Sequence, residues 1–346
     1  MNTIPIIDMH CDTISVIHDR RMQKETIGLR RNFLHIDLER MKSSGYMCQN
    51  FALFTYLGNW NGLGGPYAAS EVKEQYETPY DYALALSHTL DQELEENGDW
   101  IRPALTGSQI EENFKHGFLS GLKTVEEGAI YAGDPERLKA LYEKGVRMTT
   151  LTWNFENDLA YPNRVNLQNG EVTVDDQHGL KPKGRELVEY CRELGIIVDI
   201  SHLNDGGIMD LFDIYGKKYP ILASHSNARA VASHPRNLTD EMLRKLAECG
   251  GVTGINFCAA FLNDREDPVA RMEDMVRHIR HIEQVAGIES IGLGSDMDGI
   301  QNDMELEDSR GMQSLAQALE TAGYTIGQIE KIFYGNVLRV YKDILG

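Results

Sequence analysis

The sequence has no CxxC pair, no apolar run approaching the roughly 18 residues of a membrane span, and few basic residues for its length. Its five cysteines, Cys11, Cys48, Cys191, Cys249 and Cys258, are odd in number and widely spaced. They read as reduced thiols rather than a disulfide framework, and they hold little promise as zinc ligands. With 34 Lys and Arg against 53 Asp and Glu, the formal net charge is −19. Phosphate binding needs clustered cations, so nucleic acid and anionic membrane surfaces are poor partners. The opening MNTIPIIDMHCD lacks the basic start and long apolar stretch of a signal peptide, and neither end carries a lipidation signal. A cytoplasmic location without a membrane partner is therefore expected. Neither GxGxxG nor GxxxxGK[ST] follows an early strand candidate, which removes the basis for dinucleotide or P-loop chemistry. No GxSxG elbow offers a serine nucleophile.

What the chain does have is 42% apolar and 25% charged residues over 346 positions, enough to bury a large core. Short apolar runs recur: IPIIDM (4–9), CQNFALF (48–54), GLKTV (121–125), RMTTLT (147–152), GIIVDI (195–200), PILAS (220–224), GVTGINF (251–257) and SIGLG (290–294). Helical segments lie between them. In DPERLKALYEKG, Asp134 can cap, Pro135 suits the first turn and Gly145 can terminate. In RELVEYCRELG, Leu187, Val188, Cys191 and Leu194 share a face before Gly195. DPVARMEDMVRHIRHIEQVAG repeats the pattern with Asp267, Pro268 and Gly287. Eight strands alternating with helices predict βαβ units and an α/β fold closed into a (β/α)₈ TIM barrel. The open doubly wound sheet is the alternative. A single barrel domain over 1–346 is expected, with insertions in the βα loops at about 55–120 and 154–182 that lie near the site.

In such a barrel the active site sits at the carboxyl ends of the strands. Strand one ends in His10-Cys11-Asp12, where a period of two puts His10 and Asp12 on one side. Strand three ends in Glu126 and Glu127, strand five in His202, strand six in His225, and strand eight in Asp296 and Asp298. Three histidines and several carboxylates exceed the needs of one catalytic zinc, so two divalent ions fit better. A shared carboxylate, Glu126 or Glu127, can bridge ions about 3.5–4 Å apart with a water-derived nucleophile between them. Asp296 then lies where a carboxylate can accept that water's proton. The hydroxyls of Ser224-His225-Ser226 read as support for the ligand. His18, His35, His88, His116 and His178 read as surface or packing residues, and His278 and His281 as a solvated helical face.

The ordered motifs IIDMHCD, VEEG, TTLTWN, GLKPKGRELVEYCRELGIIVDISH, SHSNARAV, HPRN, GVTGINF, GLGSDMDG and YGNVLRV cover nearly the whole chain. Through them the sequence resembles the membrane (renal) dipeptidase family, zinc metallopeptidases on a metal-dependent hydrolase barrel. The resemblance implies hydrolysis of dipeptides by a water or hydroxide bridging two zinc ions. It makes His10 and Asp12 ligands of one zinc, His202 and His225 ligands of the other, and Glu126 the bridge. It makes Asp296 the group that handles the water's proton, and Arg236 a contact for the substrate, where a guanidinium suits a peptide carboxylate. It also implies tolerance of a D-residue at the carboxyl side and a homodimer. One departure stands out. Where mammalian members have a substrate-contacting histidine, this chain has Trp153, followed by Asn154, and an indole offers only one N–H donor. Both residues are candidate substrate contacts. The rival enzyme is a metal-dependent amidohydrolase or deaminase acting on another small amide, such as an N-acyl amino acid. A catalytically dead binding barrel is a further alternative, which the retained ligand set opposes.

Overall fold

The computed structural model describes residues 3–64, 67–165, 171–265 and 269–346. Eight strands form its centre: β1 (Ile6–Asp8), β2 (Tyr46–Phe54), β3 (Leu119–Glu126), β4 (Val146–Thr150), β5 (Ile197–Asp199), β6 (Leu222–Ala223), β7 (Val252–Ile255) and β8 (Ile291–Leu293). Every neighbouring pair is parallel, and β8 returns to β1 through Asp8 opposite Leu293. The ring is a closed (β/α)₈ barrel, which excludes the open sheet. Its longest seam joins β2 to β3, from Cys48 opposite Ser120 to Phe54 opposite Glu126.

Each strand falls within or overlaps one of the eight apolar runs, but several are shorter than the run, because the polar carboxyl ends leave the ladder to form the site. Two additions have no counterpart in the apolar pattern. Ile101–Pro103 pairs with the beginning of β3, and Arg164–Val165 forms a two-residue hairpin with Val172–Thr173. Segments this short carry no measurable period.

Alternation along the strands divides the core. Ile7, Met9, Cys48, Leu122, Met148, Ile197, Leu222 and Val252 pack with Val337, Val340 and Tyr341 of the helix Asn336–Leu345. Ile6, Phe51, Leu53, Val125, Val198, Ile255 and Ile291 belong to the larger cluster shared with the surrounding helices. Helix ends follow local chemistry. The Asp134 side chain accepts from the Glu136 N–H ahead of Pro135, and Gly195 stops the helix Pro182–Leu194 at φ 72°. The third anticipated helix spans Met272–Ala286 and ends at Gly287, whereas Asp267 and Pro268 lie outside the described residues. The segment between β2 and β3 contains the helix Pro79–Glu96, opened by a Thr78/Asp81 capping box.

One histidine assignment is corrected. His278 is fully buried rather than solvated. Its Nδ1 accepts from the Ala228 N–H at 3.1 Å and its Nε2 meets the Leu262 carbonyl at 3.1 Å, so a loop that is remote in sequence covers it. His281 is partly buried against Asp240. All five cysteines are free. Among the described residues no helix is long and apolar enough to cross a membrane.

Candidate metal centre and active site

His10 and Asp12 follow β1, Glu126 ends β3, and His202, His225 and Asp296 stand two or three residues beyond β5, β6 and β8. The structure brings all six together. His10 Nε2 lies 3.3 Å from Glu126 Oε2, 3.4 Å from Asp12 Oδ2 and 3.8 Å from Asp296 Oδ1. The other oxygen of Glu126, Oε1, lies 3.0 Å from His202 Nε2 and 3.6 Å from His225 Nε2. Those two ring nitrogens are 3.0 Å apart. Glu126 thus faces His10 with Oε2 and His202 and His225 with Oε1, while Asp12 and Asp296 gather around His10 Nε2. Glu127 points elsewhere and takes no part.

The donor set fits divalent ions. Among the described residues His10 Nε2 and Asp12 Oδ1 are buried without hydrogen-bond partners, and donor atoms of His10, Asp12 and Asp296, and of His10, Glu126 and His225, fall within 4.8 Å of one another. Buried carboxylates at this density need positive charge beside them. Burial pushes Asp296 up to about 7 and Glu126 up to about 6, each opposed by His10. Burial would lower His10, but Glu126 and Asp12 override it and hold the ring well above its usual range. His202 and His225 are pushed well below theirs, first by burial and then by the Arg236 and His10 charges, which leaves them neutral and able to ligate.

A second layer aims these groups. The Asp199 carboxylate accepts from the Ser224 N–H at 2.8 Å and its hydroxyl at 2.5 Å. The Ser224 Oγ lies 2.6 Å from His225 Nδ1. A hydroxyl donating to Asp199 must accept from His225 Nδ1–H, so the Nε2 lone pair faces the cluster. Asp8 repeats the device, accepting from the Ser295 N–H at 2.8 Å and its hydroxyl at 2.6 Å, directly before Asp296. Asn154 Oδ1 lies 3.2 Å from His202 Nδ1, and Asn256 Nδ2 donates to Asp296 Oδ2 at 3.0 Å. His202 and Asp296 adopt φ 70° and 62°, unusual for residues other than glycine, and these turns re-aim their side chains off the strand direction. Gly299 allows the acidic groups to converge, since a Cβ there would sit 2.1 Å from Asp12 Oδ2 and 2.8 Å from Asp296 Oδ1. Asp298 accepts from the Thr13 hydroxyl and the His35 N–H, tying the loop to the helix Thr13–Met22 that follows Asp12.

The cluster forms part of the lining of a cavity of about 630 Å³. Arg236 faces it and is only 8% exposed. Its Nη1 donates to Ser226 Oγ at 3.3 Å, while Nε and Nη2 have no hydrogen-bond partner among the described residues. Trp153 and Asn154 also line the cavity, as do Asn163 and Val172 from the segment after β4 and Tyr67 from the segment after β2. The sequence reading passed over Asn256, Asp8 and Asp199. Asn256 stands directly after β7, where the carboxyl-end rule applies to it as well. His234, which also lines the cavity, is marked only by its place in HPRN. Tyr67 lies in the long segment after β2 and carries no sequence signal.

A closed parallel barrel whose strand ends gather imidazoles and carboxylates around one shared glutamate is a metal-dependent hydrolase barrel. The chain belongs to the membrane dipeptidase family, peptidase family M19, which matches residues 1–345, and it is a metallo-dipeptidase by class. It is 32% identical over 268 residues to an uncharacterized protein from the pqqA 5′ region of Klebsiella pneumoniae, covering 77% of this chain and 97% of that one. It is 31% identical over 291 residues to an uncharacterized dipeptidase of Schizosaccharomyces pombe, covering 82% of this chain and 65% of that one. Among solved structures, dipeptidase AC of family M19 has a TM-score of 0.86 at 27% identity, with both chains fully covered. A metallo peptidase from Rhodobacter sphaeroides, liganded with a phosphinate mimic of L-Ala-D-Ala, has a TM-score of 0.86 at 26% identity, again with full coverage of both.

Proposed function

We propose that the protein is a binuclear zinc dipeptidase, folded as one domain over 1–346, that hydrolyses dipeptides and tolerates a D-residue at the carboxyl side. The observation that carries the metal assignment is the division of Glu126, with Oε2 toward His10 and Oε1 toward His202 and His225. His10 and Asp12 would hold one ion, His202 and His225 the other, and Glu126 both. When bound, the ions supply Lewis acidity toward the peptide carbonyl and bring the pKa of water near neutrality.

The chain's own residues do the rest. Arg236, buried with two free donors, pairs with the substrate's terminal carboxylate. Asp296 accepts the proton of the attacking water at Oδ1 and returns it to the leaving amine, while Asn256 holds Oδ2. The Rhodobacter relative's L-Ala-D-Ala mimic supports the D-residue reading. The family resemblance supports a homodimer, which light scattering would test.

The test is a panel of L,L and L,D dipeptides, with N-acyl amino acids as the rival substrates, assayed with and without chelator. Dipeptide cleavage that chelator abolishes and zinc restores is expected, at two zinc ions per chain by elemental analysis. Absence of chelator-sensitive dipeptide cleavage would sink the reading.

A further inference from the structure

Trp153 occupies a half-buried position on the cavity wall beside the candidate metal ligands. Its ring centroid is 5.2 Å from Phe54, 5.3 Å from Tyr67, 5.8 Å from Tyr56 and 5.9 Å from both Phe155 and His202. Phe54 and Tyr67 line the same cavity. Among the described residues the indole N–H makes no hydrogen bond, so nothing polar draws the ring away from the cavity. Tyr67 is pinned by its hydroxyl, which donates to the Gly299 carbonyl at 3.2 Å. The result is an aromatic surface beside His202, within the same cavity as Arg236.

A dedicated support holds this surface in place. Glu127 is fully buried and stands at φ 106°, a backbone conformation that side chains other than glycine rarely adopt. Its Oε2 accepts from the Trp153 N–H at 3.1 Å, and its Oε1 accepts from the Asn157 amide and the Ala129 N–H, each at 2.8 Å. Strain of this kind persists only where surrounding contacts over-determine it. Here those contacts fix the backbone that presents Trp153.

The helix Thr13–Met22 lines the same cavity with Ser15, Val16 and Asp19; Ser15 Oγ accepts from the Phe54 N–H at 3.2 Å, and Tyr82 donates to the Asp19 carboxylate at 2.7 Å.

We infer that Trp153, Phe54 and Tyr67 form the specificity wall that receives one side chain of the substrate, and that they select apolar, planar side chains such as phenylalanine over alanine. The inference rests on the dipeptidase reading for the kind of molecule bound. Its physical basis is apolar burial and ring stacking, which favour an aromatic side chain over a methyl group by about tenfold or more. Glu127 is a positioning residue for this wall.

The test compares phosphinate mimics of Ala-Phe, Phe-Ala and Ala-Ala for binding to the zinc-loaded protein by calorimetry, alongside kcat/KM for the matching dipeptides. The wild type is expected to prefer the phenylalanine ligand by at least about tenfold at one of the two positions. Trp153→Ala is expected to bring that ratio within about threefold while leaving zinc content and the circular dichroism spectrum unchanged. Glu127→Gln, with an N–H₂ facing the Trp153 N–H, is expected to lower the ratio without changing zinc content. Equal binding of phenylalanine and alanine mimics by the wild type, or a preference that survives Trp153→Ala, overturns the inference even if dipeptides are cleaved. Selective binding of mimics without any dipeptide cleavage leaves the wall standing and removes the dipeptidase reading instead.

Discussion

Asp296 is held at Oδ2 by Asn256 and turns Oδ1 toward His10 Nε2 at 3.8 Å, which leaves that oxygen inside the cluster where a proton carrier is needed. Replacing it with asparagine keeps the shape and removes the base. Asp296→Asn is expected to retain both metals while kcat falls roughly 10²- to 10⁴-fold, as read by elemental analysis and steady-state kinetics. Full activity would remove the assigned role. Ser224 acts one bond further out. Ser224→Ala deprives His225 Nδ1–H of its acceptor and leaves the Asp199 carboxylate without its hydroxyl donor. Metal affinity at the His202/His225 site should drop about 10- to 100-fold in chelator competition, with the His10/Asp12 site little changed. His10, Asp12, His202, His225 and Asp296 were legible as candidates because the carboxyl end of a barrel strand is a predictable place, whereas the same rule left Glu126 and Glu127 tied and only the family resemblance chose Glu126. Of their second layer, the Ser224 hydroxyl beside His225 was legible because it adjoins the ligand in the chain. The carboxylates of that layer were not, because they come from neighbouring strands: Asp8 serves the residue before Asp296, and Asp199 serves Ser224.

At the scale of elements, the loops after the strands do the aiming. The GSDMDG loop turns through positive φ at Asp296 and Asp298, and its Gly299 leaves no space for a methyl group. Gly299→Ala should lower zinc occupancy and destabilise the protein by about 1–3 kcal/mol, measured by metal analysis and urea unfolding. Unchanged occupancy would show that Asp12 and Asp296 need no such clearance. Glu127 supplies a pH signature for the neighbouring loop. Burial, opposed by the Ala129 and Trp153 N–H groups and Asn157, pushes it up to about 7 from an ordinary value of 4.5. A carboxyl raised on folding favours the folded state while protonated. Its contribution is full below about 4.5 and is lost as pH rises through about 7. Wild-type stability should therefore fall relative to Glu127→Gln between those values, and parallel pH profiles would contradict the burial of this charge. None of this is legible in VEEG, since positive φ at a glutamate has no sequence mark. The aromatic wall is equally hidden, because Phe54, Tyr67 and Trp153 come from three different segments.

For the whole molecule, the barrel was readable from eight apolar runs alternating with amphipathic helices, a periodic signal that survives any uncertainty about strand ends. What escaped was the irregular part: the Ile101–Pro103 strand, the small hairpin, and the burial of His278 beneath a loop. These depend on contacts between residues remote in sequence, where periodicity carries no information. In the cluster around Glu126, two buried carboxylates and the partly buried Asp296 converge on one imidazole, so a metal bound there would couple to global stability. Removing metal is expected to lower the thermal midpoint and zinc to restore it, as binding to the native state alone requires. The most direct measurement is anomalous diffraction at the zinc edge from crystals of the zinc-loaded protein. Two peaks about 3.5–4 Å apart are predicted, one beside His10 and Asp12 and the other beside His202 and His225, with Glu126 between them. A single peak, or two peaks that Glu126 does not join, would contradict the binuclear centre.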